Sequence, residues 1–183
     1  MPKWFRFTII RTTLSSVLDG LSTAQEIANR AEQLGFGAIG ITDHDLVSGH
    51  ISFYKAVVEK GIKPLLGIET YQSPESRFIK EGFNDSETGN KKDNFHLILL
   101  AQNDEGLKNL WRINTEAHRS GFYRNGRVDW ELLEKYNDGL ICTSSCVLGL
   151  IGQAILKGNR VPQADLKRFL SIFGDRFYLE LGT

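Results

Sequence analysis

The sequence predicts an α/β domain in which a mainly parallel sheet is connected by helices. Apolar, strand-like segments alternate about six times with segments of helical apolar spacing along the 183 residues. The strand-like segments are almost entirely apolar, which is typical of strands buried on both faces. An open doubly wound sheet and a closed barrel both fit this pattern. In both, ligands bind beyond the carboxyl ends of the strands.

The first half of the chain contains three predicted strands and two predicted helices. Ser22 and Gln25 have the spacing of a capping box, which predicts the start of the first helix. Gly35 follows this helix at the position where a positive φ is needed, and Gly61 ends the second helix. In chain order we expect a strand at 5–10, a helix at 22–34, a strand at 38–42, a helix at 51–60 and a strand at 63–71.

The second half continues the alternation after a polar stretch. Residues 72–94 predict a surface excursion with a small hairpin rather than a second domain, so we expect a single domain over residues 1–183. The expected elements are a strand at 95–101, a helix at 104–119, a short helix after Asp129, a strand at 139–143, two short helices and a strand at 177–181.

Composition and charge exclude several classes of function. Lys and Arg total 22 and so do Asp and Glu, so no pervasive basic field for nucleic acid or anionic membrane is present. Two cysteines four residues apart do not form a disulfide framework. The chain has no signal-peptide pattern and no apolar stretch of roughly 18 residues. We therefore expect a cytoplasmic protein.

Residues that commonly bind metals occur at or near five successive predicted strands. Each one alone has a structural explanation: a turn, a helix cap, an edge position, a core histidine or a small buried thiol. Together, their imidazole, carboxylate and thiolate groups favour Zn²⁺ among common ions. The preceding Asp43 would orient His44 as a supporting carboxylate. The candidate ligands are Asp19, His44, Glu69, His96 and Cys146.

Two further motifs give weaker evidence for a ligand-binding site. Gly35 to Gly40 have dinucleotide-loop spacing, but they follow a helix and precede a strand, the reverse of the required order. Arg119, Arg124 and Arg127 lie among aromatic residues and are candidate DNA contacts, although an ordinary solvated loop is the preferred interpretation.

Five segments of the chain resemble the PHP (polymerase and histidinol phosphatase) domain family. More narrowly, they resemble the PHP domain at the start of bacterial-type DNA polymerase III alpha subunits. The segments are SVLDG (16–20), GFGAIGITDHDLVSGHISFY (35–54), GIKPLLGIETY (61–71), NFHLILLAQNDEGLKNL (94–110) and GLICTSSCVLGLI (139–151).

The resemblance implies a distorted β/α (TIM-like) barrel with up to three ions, typically zinc or manganese. Intact members cleave phosphoesters. Some polymerase members resemble a 3′→5′ exonuclease, and others serve as scaffolds that dock a separate proofreading exonuclease. Matched position by position, the family's ligands fall on the five candidates named above.

This sequence departs from the family pattern at its start. The family's H-x-H histidines would fall on Ile10 and Thr12, and a further histidine would fall on Thr8. The family's final Asp-x-His ligands lie beyond the strand that ends at Leu181, so the resemblance implies a barrel truncated before its last strands. The remaining residues are expected to bind at most one Zn²⁺ or Mn²⁺ ion, or none.

The sequence therefore predicts a degenerate, non-catalytic PHP domain that acts as a scaffold in DNA replication. Its expected partners are the remaining domains of the polymerase, a proofreading exonuclease, and DNA through the larger assembly. One alternative is a metal-dependent phosphoesterase or 3′→5′ exonuclease that uses the remaining ligands. Another is a pure interaction module for the exonuclease.

Overall fold

The computed structural model describes residues 7–10, 13, 20–81, 83–84, 91–92, 94–158 and 163–181, with only the backbone described at 7–10, 83–84 and 91–92. The chain divides into two compact units, residues 1–69 and 70–183, and the boundary lies inside one long strand. The single domain expected over residues 1–183 stays a prediction.

The first unit is a parallel sheet with two helices. Strands β1, β2 and β3 pair in parallel in that order, as predicted for this half of the chain. The elements are β1 (Phe7–Ile10), α1 (Ala24–Gln33), β2 (Ala38–Ile41), α2 (His50–Glu59) and β3 (Lys63–Gln72), of which β3 runs on into the second unit.

Helix α1 begins one residue later than predicted. Thr23, not Ser22, is the N-cap: its hydroxyl accepts from the Glu26 amide at 3.2 Å, and the Glu26 carboxylate accepts from the Thr23 amide at 2.8 Å. Both registers match the capping-box pattern. The observed one places a carboxylate, rather than the neutral amide of Gln25, at the positive end of the helix dipole.

The core of the first unit lies between its helices and its sheet. All four residues of β2 are buried, and the two helices pack against each other through small and aromatic side chains. Burying these apolar side chains is the main stabilising contribution in this unit. The buried cluster consists of Ile27, Ala28, Ala31, Ile39, Ile41, Phe53, Ala56, Val57 and Ile62.

The second unit contains more elements, several of them short. They are β4 (Phe83–Asn84), β5 (Lys91–Lys92), β6 (Phe95–Ala101), α3 (Asp104–Ser120), β7 (Arg127–Val128), α4 (Trp130–Tyr136), β8 (Leu140–Thr143), α5 (Leu150–Leu156), α6 (Gln163–Phe173), a 3₁₀ turn (Gly174–Arg176) and β9 (Phe177–Tyr178). The predicted last strand was too long, since β9 ends at Tyr178.

The expectation of a mainly parallel sheet is wrong for the pairing of β6 with β8, which is antiparallel. Ala101, at the end of β6, lies opposite Leu140, at the start of β8. Between them the chain forms α3, β7 and α4 rather than one crossover helix. Strand β9 then pairs with β8 in parallel.

The predicted excursion after β3 is only partly a surface feature. Its hairpin exists, because β4 and β5 pair antiparallel. The segment before it is fixed by Arg77, which is 6% exposed and forms an ion pair of 2.7 Å with the buried Asp129. Asp129 also accepts from the Arg77 amide at 3.0 Å and caps α4 through the Leu132 amide. A polar composition alone gave no sign of this buried pair.

The structure shows a mixed α/β fold. Within each unit, the described strands form open ladders that do not close into a barrel.

Removing either partner of the Arg77–Asp129 pair should destabilise the protein strongly. Asp129→Ala removes the buried carboxylate from a nearly solvent-free guanidinium and leaves it paired with the exposed Glu131, so the loss should approach the value of about 3–5 kcal/mol of unfolding free energy typical of a broken buried pair. Urea denaturation checks this value. The matched control is Arg168→Met, which breaks an exposed 2.8 Å pair with Glu134 and should cost about 1 kcal/mol or less. Equal losses of unfolding free energy in Asp129→Ala and Arg168→Met would contradict the stabilising role of the buried Arg77–Asp129 pair.

Candidate metal centre

In the first unit, the pairing of β2 with β3 places His44 beside Glu69. The backbone of Glu69 donates to the Asp43 carbonyl at 3.1 Å, and its carbonyl accepts from the Asp45 amide at 2.9 Å. These bonds extend the parallel register, so His44 and Glu69 are partners across the strands. Partner residues in a parallel pair project to the same face of the sheet. Asp45 then turns the chain away with a φ of +60°.

Asp43 anchors the chain that follows β1. Its carboxylate is 1% exposed and accepts two hydrogen bonds from Thr13, one from the amide at 2.6 Å and one from the hydroxyl at 2.8 Å. Hydrogen bonds to an ionised carboxylate are among the stronger ones in proteins. The predicted role of Asp43 in orienting His44 stays a prediction, but this anchor fixes the backbone immediately before His44.

His50 is a buried imidazole that the sequence interpretation missed. It is 1% exposed, and its Nε2 lies 2.8 Å from the Gly67 carbonyl, which can only accept. Burial lowers the pKa of His50 below 6.5, more than the Gly67 carbonyl and the Asp43 carboxylate raise it. The residue is therefore neutral near pH 7 with its proton on Nε2. It shares the buried side of α2 with Phe53 and Val57, and that spacing could have revealed it.

In the second unit, His96 and Cys146 lie together. His96 is in the N-terminal part of β6, and its Nδ1 is 3.8 Å from the Cys146 Sγ. Two donors on one tetrahedral Zn²⁺ ion, with ordinary Zn–N and Zn–S bonds, lie roughly 3.6 Å apart. Both residues are half-buried. The separation fits shared coordination of a metal ion and also fits a thiol–imidazole contact.

The loop after β8 holds Cys146 in this position. The His96 amide donates to the Leu148 carbonyl at 3.2 Å, and the Leu148 amide donates to the Cys146 Sγ at 3.4 Å. A side chain at Gly149 would place its Cβ 2.2 Å from the Ser144 carbonyl oxygen, so only glycine allows this close approach. The Leu148 amide and the close approach at Gly149 together fix the position of the Cys146 sulfur beside His96.

The remaining predicted site residues lie outside the described part of the chain, have only their backbone described, or are arginines that differ in exposure. Asp19 and Thr12 lie outside the described residues, and of Thr8 and Ile10 only the backbone in β1 is described. The candidate DNA contact at Arg127, and the preferred solvated-loop interpretation of this residue, are wrong: Arg127 is 0% exposed. Arg119 is exposed and pairs with Glu116 at 2.8 Å, and Arg124 is exposed with a φ of +62°.

The donors within each unit fit a transition metal. An imidazole beside a carboxylate, and an imidazole beside a thiol, are the donor types that Zn²⁺ prefers, and the imidazole and carboxylate also suit Mn²⁺.

Comparisons with known proteins give one consistent family. The sequence profile described as "PHP domain" matches residues 11–183. A DNA polymerase III subunit alpha from Aquifex aeolicus is 42% identical over 171 residues, 92% of this chain and 15% of its own length. The same subunit from Borreliella burgdorferi is 42% identical over 168 residues, 91% of this chain and 14% of its own length.

This chain thus spans only about 15% of the length of these relatives. Among solved structures, a protein from Bifidobacterium adolescentis, provisionally assigned as a metal-dependent phosphoesterase, is 21% identical. The alignment covers 65% of this chain and 36% of that one, with a TM-score of 0.40, which is too low to support an argument. Among the described residues, no helix is both long and apolar enough to cross a membrane.

The buried, neutral His50 should make stability depend on pH. Its folded-state pKa is lowered, so the unfolded chain binds the proton more readily and stability is lost as pH falls below about 6.5. His50→Gln can retain a donor to Gly67 but does not titrate. The unfolding free-energy difference between wild type and this variant should therefore shrink from about pH 7.5 to about pH 5.5, by at most about 1.4 kcal/mol per pH unit.

Urea denaturation at both pH values measures this change. Lys55→Gln, at an exposed position on the same helix, is the control and should keep the wild-type pH dependence. If the unfolding free energies of wild type and His50→Gln change equally with pH, His50 is not the buried neutral imidazole described above.

Proposed function

Because this chain belongs to the PHP domain family, we propose that it is the PHP domain of a DNA polymerase III alpha-type protein and a scaffold in DNA replication. Its relatives over nearly the whole chain are such subunits, which supports the replication context. The distorted barrel implied by the resemblance, a cytoplasmic location, and partnership with further polymerase domains and a proofreading exonuclease belong to the same proposal.

One observation carries the non-catalytic part of the proposal. Ile10 and Thr12 stand where the family pattern has the two histidines of its first motif. An alkyl side chain cannot donate an electron pair to a metal, and a neutral hydroxyl is a much weaker ligand than imidazole. A cluster of several ions needs its full set of ligands, so we expect at most one bound ion.

The ligand set in this proposal is Asp19, His44, Glu69, His96 and Cys146. A bound Zn²⁺ or Mn²⁺ ion would supply Lewis-acid polarisation of a phosphoryl oxygen or of water. The protein's own contribution is to hold donors in place. The strand register holds His44 and Glu69, and the Leu148 amide holds the Cys146 sulfur in position. Asp43 would support His44 from the adjacent backbone.

A second candidate function is a metal-dependent phosphoesterase or 3′→5′ exonuclease. The donor pairs favour it, because His96 and Cys146 are already close enough for shared coordination. The scaffold is preferred because the imidazoles at positions 10 and 12 are missing, and these would complete the metal cluster. A third candidate is an interaction module that binds its partner without metal.

Metal content and hydrolysis separate these functions. After dialysis against trace Zn²⁺ and Mn²⁺, the wild-type protein should hold about one ion per chain or less, and His96→Ala should hold less than wild type. Neither should hydrolyse p-nitrophenyl phosphate or a 3′-labelled single-stranded oligonucleotide. Elemental analysis and the two assays measure this. The double variant Ile10→His/Thr12→His restores the missing imidazoles and should bind more metal.

Two outcomes would change the conclusion. Metal-dependent turnover by the wild-type protein that is lost in His44→Ala would establish the phosphoesterase instead of the scaffold. Absence of bound metal from both the wild type and the double variant would leave only a metal-independent interaction module.

A further inference from the structure

Tyr71 contacts the imidazole of His96 directly. The two ring centroids are 5.1 Å apart and the ring planes meet at 80°, so this is an edge-to-face contact. Such a contact is specific in geometry, because the positive edge of one ring meets the negative face of the other. It therefore restricts the rotation of the imidazole as well as its position.

The other contacts of His96 fix its backbone and one ring nitrogen. The backbone is held by the amide bond to Leu148 and by pairing with Gly149. Cys146 Sγ lies 3.8 Å from Nδ1, a weak contact in the absence of a metal. Tyr71 supplies an aromatic packing surface for the His96 ring.

Arg127 fixes the backbone that carries Tyr71. The ladder between β3 and β7 contains only two residue pairs, Tyr71 with Arg127 and Gln72 with Val128, so it is too short to be stable by itself. The Arg127 guanidinium is fully buried and donates to the carbonyls of Gly121 at 3.2 Å and Ile79 at 2.6 Å. It thereby ties the segment after β3 to the end of α3.

We propose that Tyr71 is a positioning residue for the metal ligand His96, and that buried Arg127 keeps Tyr71 in place through the β3–β7 ladder. The metal-binding part of this inference rests on the proposed function. The orientation of the His96 ring does not, because it can be measured in the metal-free protein.

Cobalt(II) titration of Tyr71→Leu tests the inference. Leucine removes the aromatic face, and cobalt affinity should fall about 10- to 100-fold, as for other residues that support a metal ligand. The thiolate-to-cobalt charge-transfer absorption from Cys146 should also change in intensity or position. Tyr71→Phe keeps the ring and should retain both the wild-type affinity and the wild-type spectrum.

Tyr136→Leu is the matched control. It makes the same change at a half-buried tyrosine on α4 in the same unit, and cobalt binding should be unaffected. Thermal unfolding of the metal-free variants shows whether the folded protein is retained. Cobalt affinity and spectrum unchanged in Tyr71→Leu would overturn the inference.

A separate readout applies without metal. Long-range ¹H–¹⁵N spectra and ring-to-ring NOEs report the tautomer and orientation of His96 in the metal-free protein. We expect these to differ between wild type and Tyr71→Leu but not between wild type and Tyr71→Phe. If the wild-type protein binds no cobalt, the proposed metal site is wrong, but the positioning of the His96 ring by Tyr71 can still be tested. Identical His96 spectra in wild type and Tyr71→Leu would overturn that positioning role as well.

Discussion

The parallel pairing of β2 with β3 is the constraint on which the first unit depends. It places His44 opposite Glu69, while the parallel pairing of β1 with β2 brings the segment containing Thr13 to Asp43. The bonds that maintain this arrangement are mostly backbone bonds, with one carboxylate added. A change of register by one residue would turn each of these side chains to the opposite face of the sheet. Fold and site are therefore specified by the same hydrogen bonds.

The second unit depends instead on buried cations. Arg77 and Arg127 are almost completely removed from solvent. Arg77 donates to the carboxylates of Asp129 and Glu131 and to the Ser120 hydroxyl, and Arg127 donates to backbone carbonyls. A guanidinium offers five donors in a rigid plane, so it can join several segments that no apolar side chain could connect. Two arginines thus organise the chain after β3 where regular secondary structure is sparse.

Apolar periodicity made the main elements predictable. Helix α1 has the helical spacing of apolar residues that its burial requires, and β2 and β6 are the nearly continuous apolar runs typical of buried strands. The direction of β8 was not predictable, because the apolar pattern of a buried strand is the same whichever way the strand runs. His96, near the start of β6, meets Cys146, which follows β8, because these two strands pair antiparallel, and the predicted parallel arrangement did not include this pairing. The contacts of Arg77, Arg127 and His50 were missed because each joins segments distant in sequence, and local propensity carries no signal for such contacts.

The Thr13–Asp43 anchor has an evolutionary consequence. The residue that follows the altered positions 10 and 12 still makes two hydrogen bonds to a buried carboxylate, so the framework of the site does not depend on the metal-binding side chains beside it. Substitutions at positions 10 and 12 can therefore accumulate without removing these two hydrogen bonds, and a point substitution there can place an imidazole beside the same anchor.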